Sequence, residues 1–177
     1  LVGSEMCIRD RGAEVAGVTV EGKVAYLSLV QLQAGVTWQK SHYTRPEKWS
    51  KDSSVPAEKR IFRTPDWYGY FTATYSPVKP LNIALSGTYT GSMIVQHMKG
   101  YIPKDIAVTT PDFFDMNLKI SYDFSLYKFI TLQLNAGIQN IFNAYQRDFD
   151  QGKERDSGYI YGPSMPRSYF AGAKLMF

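Results

Sequence analysis

The amino-acid sequence predicts an all-β fold, namely part of an antiparallel transmembrane β-barrel. Three observations lead to this prediction. Apolar and polar residues alternate with a period of two in seven segments of the chain. Short and long connections alternate between those segments. Aromatic residues make up 15% of the 177 residues and gather near the segment ends, as in the interfacial girdles of membrane barrels.

Composition narrows the choice of protein class. Apolar residues are 44% and charged residues 20%, which excludes an intrinsically disordered chain. No stretch approaches the roughly 18 apolar residues that a membrane-spanning helix needs. The single cysteine excludes an internal disulfide framework. Basic and acidic residues are interleaved and the net charge is only +4, so no basic run indicates nucleic-acid binding.

The first four predicted strands cover residues 14–24, 30–39, 67–75 and 81–90, and the first alternates weakly. The second sets Val30, Leu32, Ala34, Val36 and Trp38 against Gln31, Gln33, Thr37 and Gln39. The third sets Trp67, Phe71, Ala73 and Tyr75 against Tyr68, Tyr70, Thr72 and Thr74. The fourth sets Leu81, Ile83, Leu85 and Tyr89 against Asn82, Ser86, Thr88 and Thr90. Because successive side chains of a strand point to opposite faces, each strand has one apolar and one polar face.

The last three predicted strands cover residues 113–124, 129–139 and 169–177. The first of these sets Phe114, Met116, Leu118, Ile120, Tyr122 and Phe124 against Asp115, Asn117, Lys119, Ser121 and Asp123. The next sets Ile130, Leu132, Leu134, Ala136 and Ile138 against Thr131, Gln133, Asn135, Gly137 and Gln139. The final strand repeats the pattern with Tyr169, Ala171, Ala173, Leu175 and Phe177. A helix would scatter these apolar residues over all its sides.

The connections predict which end of the barrel faces which compartment. Tight links are expected at residues 23–26, 77–80 and 125–128, and long ones at 43–65, 94–111 and 143–166. Tight periplasmic turns and long extracellular loops are typical of transmembrane barrels. The two aromatic rims would be Trp38, Tyr43, Trp67, Tyr68 and Tyr70 at the loop end, and Tyr75, Tyr122, Phe124, Tyr127, Phe129 and Phe177 at the turn end.

Strand number predicts that the barrel is larger than this chain. Bacterial single-chain barrels have an even number of strands, and seven is odd. Residues 12–177 are therefore expected to be the carboxy-terminal portion of a larger barrel. Residues 1–11, which include Cys7, resemble a translated sequencing-adapter peptide and are expected to be non-native.

Four stretches carry a family resemblance: GIQNIFNAYQRDF at residues 137–149, PRSYFAGAKLMF at 166–177, RTPDWYGYF at 63–71 and GTYTGSM at 87–93. Together they resemble the carboxy-terminal part of TonB-dependent outer-membrane receptors. The resemblance implies a 22-stranded barrel with an amino-terminal plug domain, and the plug and the earlier strands are absent from this sequence. It also implies a TonB-type energy transducer that contacts the plug, and import of a scarce ligand such as a siderophore, cobalamin or an oligosaccharide.

The resemblance further implies contact with outer-membrane lipid, lipopolysaccharide and the barrel-assembly machinery. The assembly signal would be the final strand's apolar face: Tyr169, Ala171, Ala173, Leu175 and Phe177. The candidate ligand contacts are Tyr68 and Tyr70, on the polar face of their strand, and Arg147 and Arg155, in the last long loop.

No sequence motif predicts an enzyme, a cofactor or a resident metal. His97 lies near Met93 and Met98, which is compatible with a soft-metal site, and Asp148, Asp150 and Asp156 have a spacing like that of calcium ligands. A solvated loop is the simpler explanation of the first pattern, and no full EF-hand pattern follows the second. Two alternatives to a receptor stay open at this point: a passive porin-like barrel, and a soluble β-sandwich that binds carbohydrate.

Overall fold

A computed structural model describes residues 12–177, and the expectation for residues 1–11 lies outside them. The described residues form ten strands and no helix. The seven long strands are β1 (Ala13–Tyr26), β2 (Val30–Glu47), β4 (Trp67–Val78), β5 (Leu81–Thr90), β8 (Phe113–Tyr127), β9 (Ile130–Gln139) and β10 (Ser168–Met176). The three short ones are β3 (Glu58–Arg60), β6 (Ile94–His97) and β7 (Ile106–Thr109). Within the described range no helix is long and apolar enough to cross a membrane.

The seven long strands form one antiparallel sheet in the order β1-β2-β4-β5-β8-β9-β10. This confirms the predicted strands, each of which pairs with its neighbours along the chain. β1 and β10 are the two edges, so the sheet does not close within residues 12–177. The short strands were not predicted because they lie inside two of the long connections: β3 pairs with the end of β2, and β6 pairs with β7 in a separate hairpin.

The predicted position of the first tight link was wrong by a few residues. β1 continues to Tyr26, which pairs with Val30, and the turn therefore lies at residues 27–29 rather than 23–26. Leu27 takes the left-handed conformation, with φ of 51°, that reverses the chain there. The backbone pairing of β1 with β2 continues to Tyr26, although apolar and polar residues alternate only weakly at the end of β1.

The register across the sheet confirms the assignment of the two faces. One continuous row of directly paired residues runs over all seven strands: Val24, Leu32, Ala73, Leu85, Leu118, Ile138 and Tyr169. The adjacent row on the opposite face contains Lys23, Gln33, Thr72, Ser86 and Asn117. One side of the sheet is thus apolar from edge to edge and the other polar.

The apolar face is uncovered in the described structure. Val20 and Val24 are 63% and 66% exposed, and Leu175 is 48% exposed. A β-sandwich buries such a face against a second sheet, but the other sheet among the described residues is only the two-stranded β6–β7 hairpin. The soluble-sandwich alternative is therefore wrong for this part of the chain.

The two ends of the sheet differ as the sequence predicted. Turns of two or three residues join β1 to β2, β4 to β5 and β8 to β9 at one end. Residues 48–66, 91–112 and 140–167 connect strands at the other end, and we call these three segments together the loop layer. The buried apolar residues of the described chain lie in it or at its boundary: Met93, Ile94, Val95, Phe113 and Tyr159. The loops therefore pack on one another instead of standing free in solvent.

Candidate loop layer and lumen site

The centre of the loop layer is a pairing of His97 with Asp150. Nε2 of His97 lies 2.9 Å from Oδ2 of Asp150 and 3.0 Å from Oδ1. The side chains are only 8% and 2% exposed. The ring of Tyr159 stacks on the imidazole with centroids 3.7 Å apart and planes 7° from parallel. His97, the last residue of β6, thus contacts two residues of the segment 140–167, which we call the last connection.

A second carboxylate in the last connection organises two tyrosines. The hydroxyl of Tyr159 donates to Oδ2 of Asp148 over 2.8 Å, and that of Tyr161 donates to Oδ1 over 2.6 Å. Burial raises the pKa of the Asp148 carboxyl, but the hydrogen bonds that the carboxylate accepts, first those from Tyr161 and Tyr159, together outweigh burial and hold that pKa below its usual value. Burial and the same carboxylate raise the pKa of Tyr161 to about 12. They also raise the pKa of Tyr159.

Gln146 explains why the last connection has a defined shape. Its side chain is 1% exposed. Its amide nitrogen donates to the carbonyl of Tyr159, and its amide oxygen accepts from the backbone N–H of Tyr161. A buried amide with its hydrogen bonds satisfied in this way closes residues 146–161 into a loop.

Arg63 joins all three connections of the loop layer. Its guanidinium donates to the carbonyls of Ile160 and Gly158 in the last connection. Its backbone N–H donates to the carbonyl of Ile94 over 2.8 Å, and its own φ of 59° lies in the left-handed region. Asp105 adds a further link, because it accepts from the Ser50 hydroxyl and from the backbone N–H of Lys99.

Two cavities lie where the loop layer meets the polar face of the sheet. The larger encloses about 350 Å³ and is lined by Asp115, Asn117, Gln139, Asn140, Ser164 and Ser168, among others. The smaller encloses about 260 Å³, and its lining includes Thr88, Thr90, Phe113 and Tyr161. Asp115 lines both. Its Oδ1 is buried and has no hydrogen-bond partner among the described residues.

The predicted ligand contacts Tyr68 and Tyr70 do lie on the polar face. Tyr68 is paired with Thr37 and Thr90. The hydroxyl of Tyr70 lies 3.3 Å from Oε1 of Glu21 and 3.3 Å from Nε2 of Gln33. Tyr70 is therefore already engaged by neighbouring strands of the wall.

The predicted contacts Arg147 and Arg155 lie in the last connection, and both are exposed. The guanidinium carbon of Arg147 lies 5.2 Å from the centre of the Tyr145 ring. Within residues 12–177 no hydrogen bond or ring contact joins either arginine to Tyr68 or Tyr70. The structure does not bring the four predicted residues into one site, and their role in binding stays a prediction.

The metal hypotheses of the sequence fit this geometry poorly. Nε2 of His97 is paired with Asp150, and both carboxylate oxygens of Asp148 accept hydrogen bonds from tyrosines. Among the described residues no group of three or more histidine, cysteine, aspartate or glutamate side chains is arranged to hold a metal ion.

The residues that sequence reasoning missed are Asp115, Gln146 and Tyr159. Asp115 was placed correctly on the polar face, but its cavity depends on a connection more than 45 residues away in the chain. For the other two a signal existed. A loop containing Phe149, Tyr159 and Tyr161 is more aromatic than a fully solvated loop would be.

The residues of the proposed assembly signal occupy one face of β10. Tyr169, Ala171, Ala173 and Leu175 pair with Ile138, Ala136, Leu134 and Leu132 on the apolar side. Phe177 lies just beyond the strand and is 90% exposed. The four residues that belong to β10 therefore share one face of the strand. Recognition of the series by the barrel-assembly machinery stays a prediction.

No protein-family model matches the chain, and no curated protein matches it. Solved structures do. One, described as the structure of the FpvAI–pyocin S2 complex, matches with a TM-score of 0.63 and 14% identity over 94% of this chain and 19% of that chain. Another is a mutant of the ferric enterobactin receptor PfeA from Pseudomonas aeruginosa, with a TM-score of 0.53 and 15% identity over 92% of this chain and 22% of that chain.

These matches define the fold of the chain as a section of an antiparallel β-barrel wall with its long loops at one end. The second of these neighbours is a ferric enterobactin receptor, and this chain shares with both neighbours the fold of the sheet. The chain spans about a fifth of the length of each neighbour. The fold predicted from the sequence is thereby confirmed.

Proposed function

We propose that the chain is the carboxy-terminal part of the barrel of a TonB-dependent receptor in the bacterial outer membrane. One observation carries the proposal: an apolar face that continues over seven strands, in a sheet whose fold matches such receptors. In lipid, every backbone donor and acceptor must be paired, and a closed barrel achieves this. Further strands joined to the free edges of β1 and β10 would complete it.

The proposed activity is energy-coupled uptake of a scarce ligand, such as a siderophore, cobalamin or an oligosaccharide, and no catalytic step is assigned. The apolar face would contact outer-membrane lipid, and the exposed part of the loop layer would contact lipopolysaccharide. Coupling to a TonB-type transducer would run through a plug domain outside this chain. Insertion would depend on the barrel-assembly machinery.

The second candidate is a passive porin-like barrel, because the alternation of the strands is shared by both classes. The loop layer favours the receptor. Its connections are joined by buried contacts, such as the His97–Asp150 pairing, whereas a diffusive pore needs an open passage.

Uptake by intact cells separates the two candidates. The full-length protein that contains this chain is expressed in a strain without other high-affinity receptors, and uptake of radiolabelled ferric siderophores, cobalamin and oligosaccharides is measured. A receptor loses uptake when a protonophore is added or when the transducer is deleted. Uptake that persists under both treatments would contradict the receptor and indicate a pore.

A further inference from the structure

The apolar face of β2 changes its residue type abruptly after Trp38. The even-numbered positions of residues 30–36 share this face and are all apolar. The next two positions on the same face are Lys40, which is exposed, and His42. The pairing of β2 with β1 is continuous over residues 30–43, so the alternation of the two faces is unbroken across this change. In the proposed membrane orientation, the lipid-facing side of β2 therefore becomes basic directly beyond a tryptophan.

Trp38 belongs to an aromatic band that crosses the loop end of the apolar face. Its ring centroid lies 6.3 Å from that of Trp67, and the ring of Phe114 stacks on that of Phe142 at 5.6 Å. Tyr89 lies between these two contacts and pairs directly with Phe114. All five residues are 36–56% exposed. Because aromatic side chains gather at the interfaces of membrane barrels, this band marks the outer boundary of the hydrocarbon.

Lys40 and His42 lie at the depth of the lipid headgroups. A strand rises about 3.4 Å per residue and barrel strands tilt by about 40°, so the two residues stand about 5 and 10 Å beyond Trp38 along the membrane normal. The headgroup layer on each side of the hydrocarbon is about 5–8 Å thick. Lys40 therefore lies within the layer that contains the lipid phosphates, and His42 lies at its outer edge.

The short strand β3 places a second cation beside Lys40. Arg60 pairs directly with His42, so its side chain is on the same face of the sheet. Lys40 is then its diagonal neighbour, at a Cα separation of about 7–8 Å. Arg60 is exposed. An ammonium and a guanidinium group can therefore reach the same anion.

The carboxylates of this region leave the two cations available. Within residues 12–177, neither cation is in an ion pair with a carboxylate. Glu14 lies on the same face but is paired with His42, at 3.3 Å. Glu47 and Glu58 are paired with each other in the register, nearer the end of β2 and farther from the aromatic band. Basic side chains at headgroup depth attract anionic headgroups and donate charge-assisted hydrogen bonds to them.

We propose that Lys40 and Arg60 form a site on the lipid-facing surface of the barrel for a phosphate group of an outer-leaflet lipid, namely lipopolysaccharide. The guanidinium and the ammonium group donate to phosphate oxygens, while acyl chains of the same lipid lie along the apolar face before Trp38. Elsewhere on the band, the Tyr89 hydroxyl donates to the carboxylate of Asp112 over 3.4 Å, and a phosphate is repelled there. The inference rests on the proposed outer-membrane function and names the site of its lipid contact.

Native mass spectrometry of the purified full-length protein in detergent tests the site. The two probes are diphosphoryl lipid A, the phosphorylated anchor of lipopolysaccharide, and the same lipid after enzymatic dephosphorylation. We expect the phosphorylated lipid to bind at least tenfold more tightly. Lys40→Gln and Arg60→Gln should each weaken its binding about fivefold, and the double variant more than tenfold.

Lys59→Gln is the matched control and should bind both lipids normally. Lys59 is exposed and precedes Arg60 in β3. Because successive side chains of a strand point to opposite faces, the control removes the same charge from the other side of the sheet.

Several outcomes overturn the inference. They are equal binding of the two lipids, an unchanged affinity in the double variant, and an equal loss of affinity in Lys59→Gln. Displacement of lipid A by an equal concentration of inorganic phosphate is another, because the site then takes a soluble anion. So is a double variant without heat-modified gel mobility, because the two side chains then stabilise the wall itself.

The site and the receptor function can fail separately. Protonophore-sensitive uptake together with equal binding of the two lipids would remove the phosphate site and leave the receptor. Protonophore-insensitive uptake together with selective binding of the phosphorylated lipid would remove the receptor and leave the site.

Discussion

His97 and Asp150 are buried together, 53 residues apart in the sequence, with Nε2 and Oδ2 separated by 2.9 Å. The chain contains a second pair of the same chemistry, His42 and Glu14, at 3.3 Å on the first two strands of the sheet. Those side chains are 41% and 67% exposed. An imidazole and a carboxylate are thus paired in a buried site and again in an exposed one. The exposed pair serves as a control for substitutions in the loop layer.

We expect His97→Phe to loosen the loop layer and His42→Phe to have little effect. Phenylalanine preserves the stack on Tyr159 but removes the donor to a buried carboxylate, which costs about 1.5–3 kcal/mol of local stability. An exposed pair contributes at most about 1 kcal/mol. Hydrogen exchange of the full-length protein should show faster opening of residues 94–97 and 156–161 in the first variant only. Equal protection in both variants would show that the pairing does not hold the loops.

Acidification should open the last connection through Asp148. The folded-state pKa of this carboxyl is lowered, so its stabilising contribution is present above the unfolded value, near 3.8, and is lost as the pH falls through the lower folded value. A nitroxide label at exposed residue 153 should become mobile across that range. In Asp148→Asn the label should be more mobile at neutral pH and lose this acid transition. An unchanged acid transition in the variant would assign it to another group.

Substitutions at two neighbouring residues of β9 can test which face of the sheet contacts lipid. Leu132 pairs with Phe124 and Leu175 on the apolar face, whereas Gln133 donates to Asp123 over 2.7 Å on the polar face. Arginine facing lipid near the midplane costs roughly 2–4 kcal/mol. We expect Leu132→Arg to impair folding of the full-length barrel far more than Gln133→Arg.

Spin labels at the same two positions distinguish a membrane wall from a soluble core. A label at 132 should be accessible to oxygen dissolved in lipid, and one at 133 to a water-soluble relaxation agent. The reverse pattern would falsify the assigned faces.

Two glycines of the sheet should respond very differently to alanine. A Cβ at Gly137 would lie 2.3 Å from the carbonyl oxygen of Leu118 and 2.5 Å from the Phe170 ring, whereas one at Gly22 meets no described atom within 4 Å. Overpacking of this kind costs typically about 1–3 kcal/mol. Gly137→Ala should therefore lower the temperature at which the full-length barrel loses its heat-modified gel mobility, and Gly22→Ala should not. Equal midpoints would mean that Phe170 and β8 adjust without cost.

The assembly role proposed for the end of β10 has its own test. Deleting Phe177 should reduce the amount of full-length protein in the outer membrane, because this aromatic residue completes the alternating apolar series of residues 169–177. Phe177→Tyr retains the aromatic ring and serves as the control, with near-normal levels. Quantitative blotting of fractionated membranes gives the comparison, and equal levels after deletion would remove this role from Phe177.

Strand positions and faces were predictable because the information is local. The period of two follows from backbone geometry within each segment, and the register then carries that pattern across the sheet, as Leu118 shows between Leu85 and Ile138. The alternation of short and long connections could also be predicted, from the spacing between the predicted strands alone. The strands β3, β6 and β7 were not, because their short pairings have no alternation long enough to detect.

The sequence by itself determined that the chain forms a sheet with one apolar and one polar face and with tight turns at one end. Only the tertiary structure decided how the long connections at the other end pack together. His97 meets Asp150, and Arg63 meets Ile160. The physical reason is that these contacts join residues 53 and 97 positions apart. Burial and hydrogen bonding at such separations depend on how the connections pack together, and no local pattern in the chain encodes that arrangement.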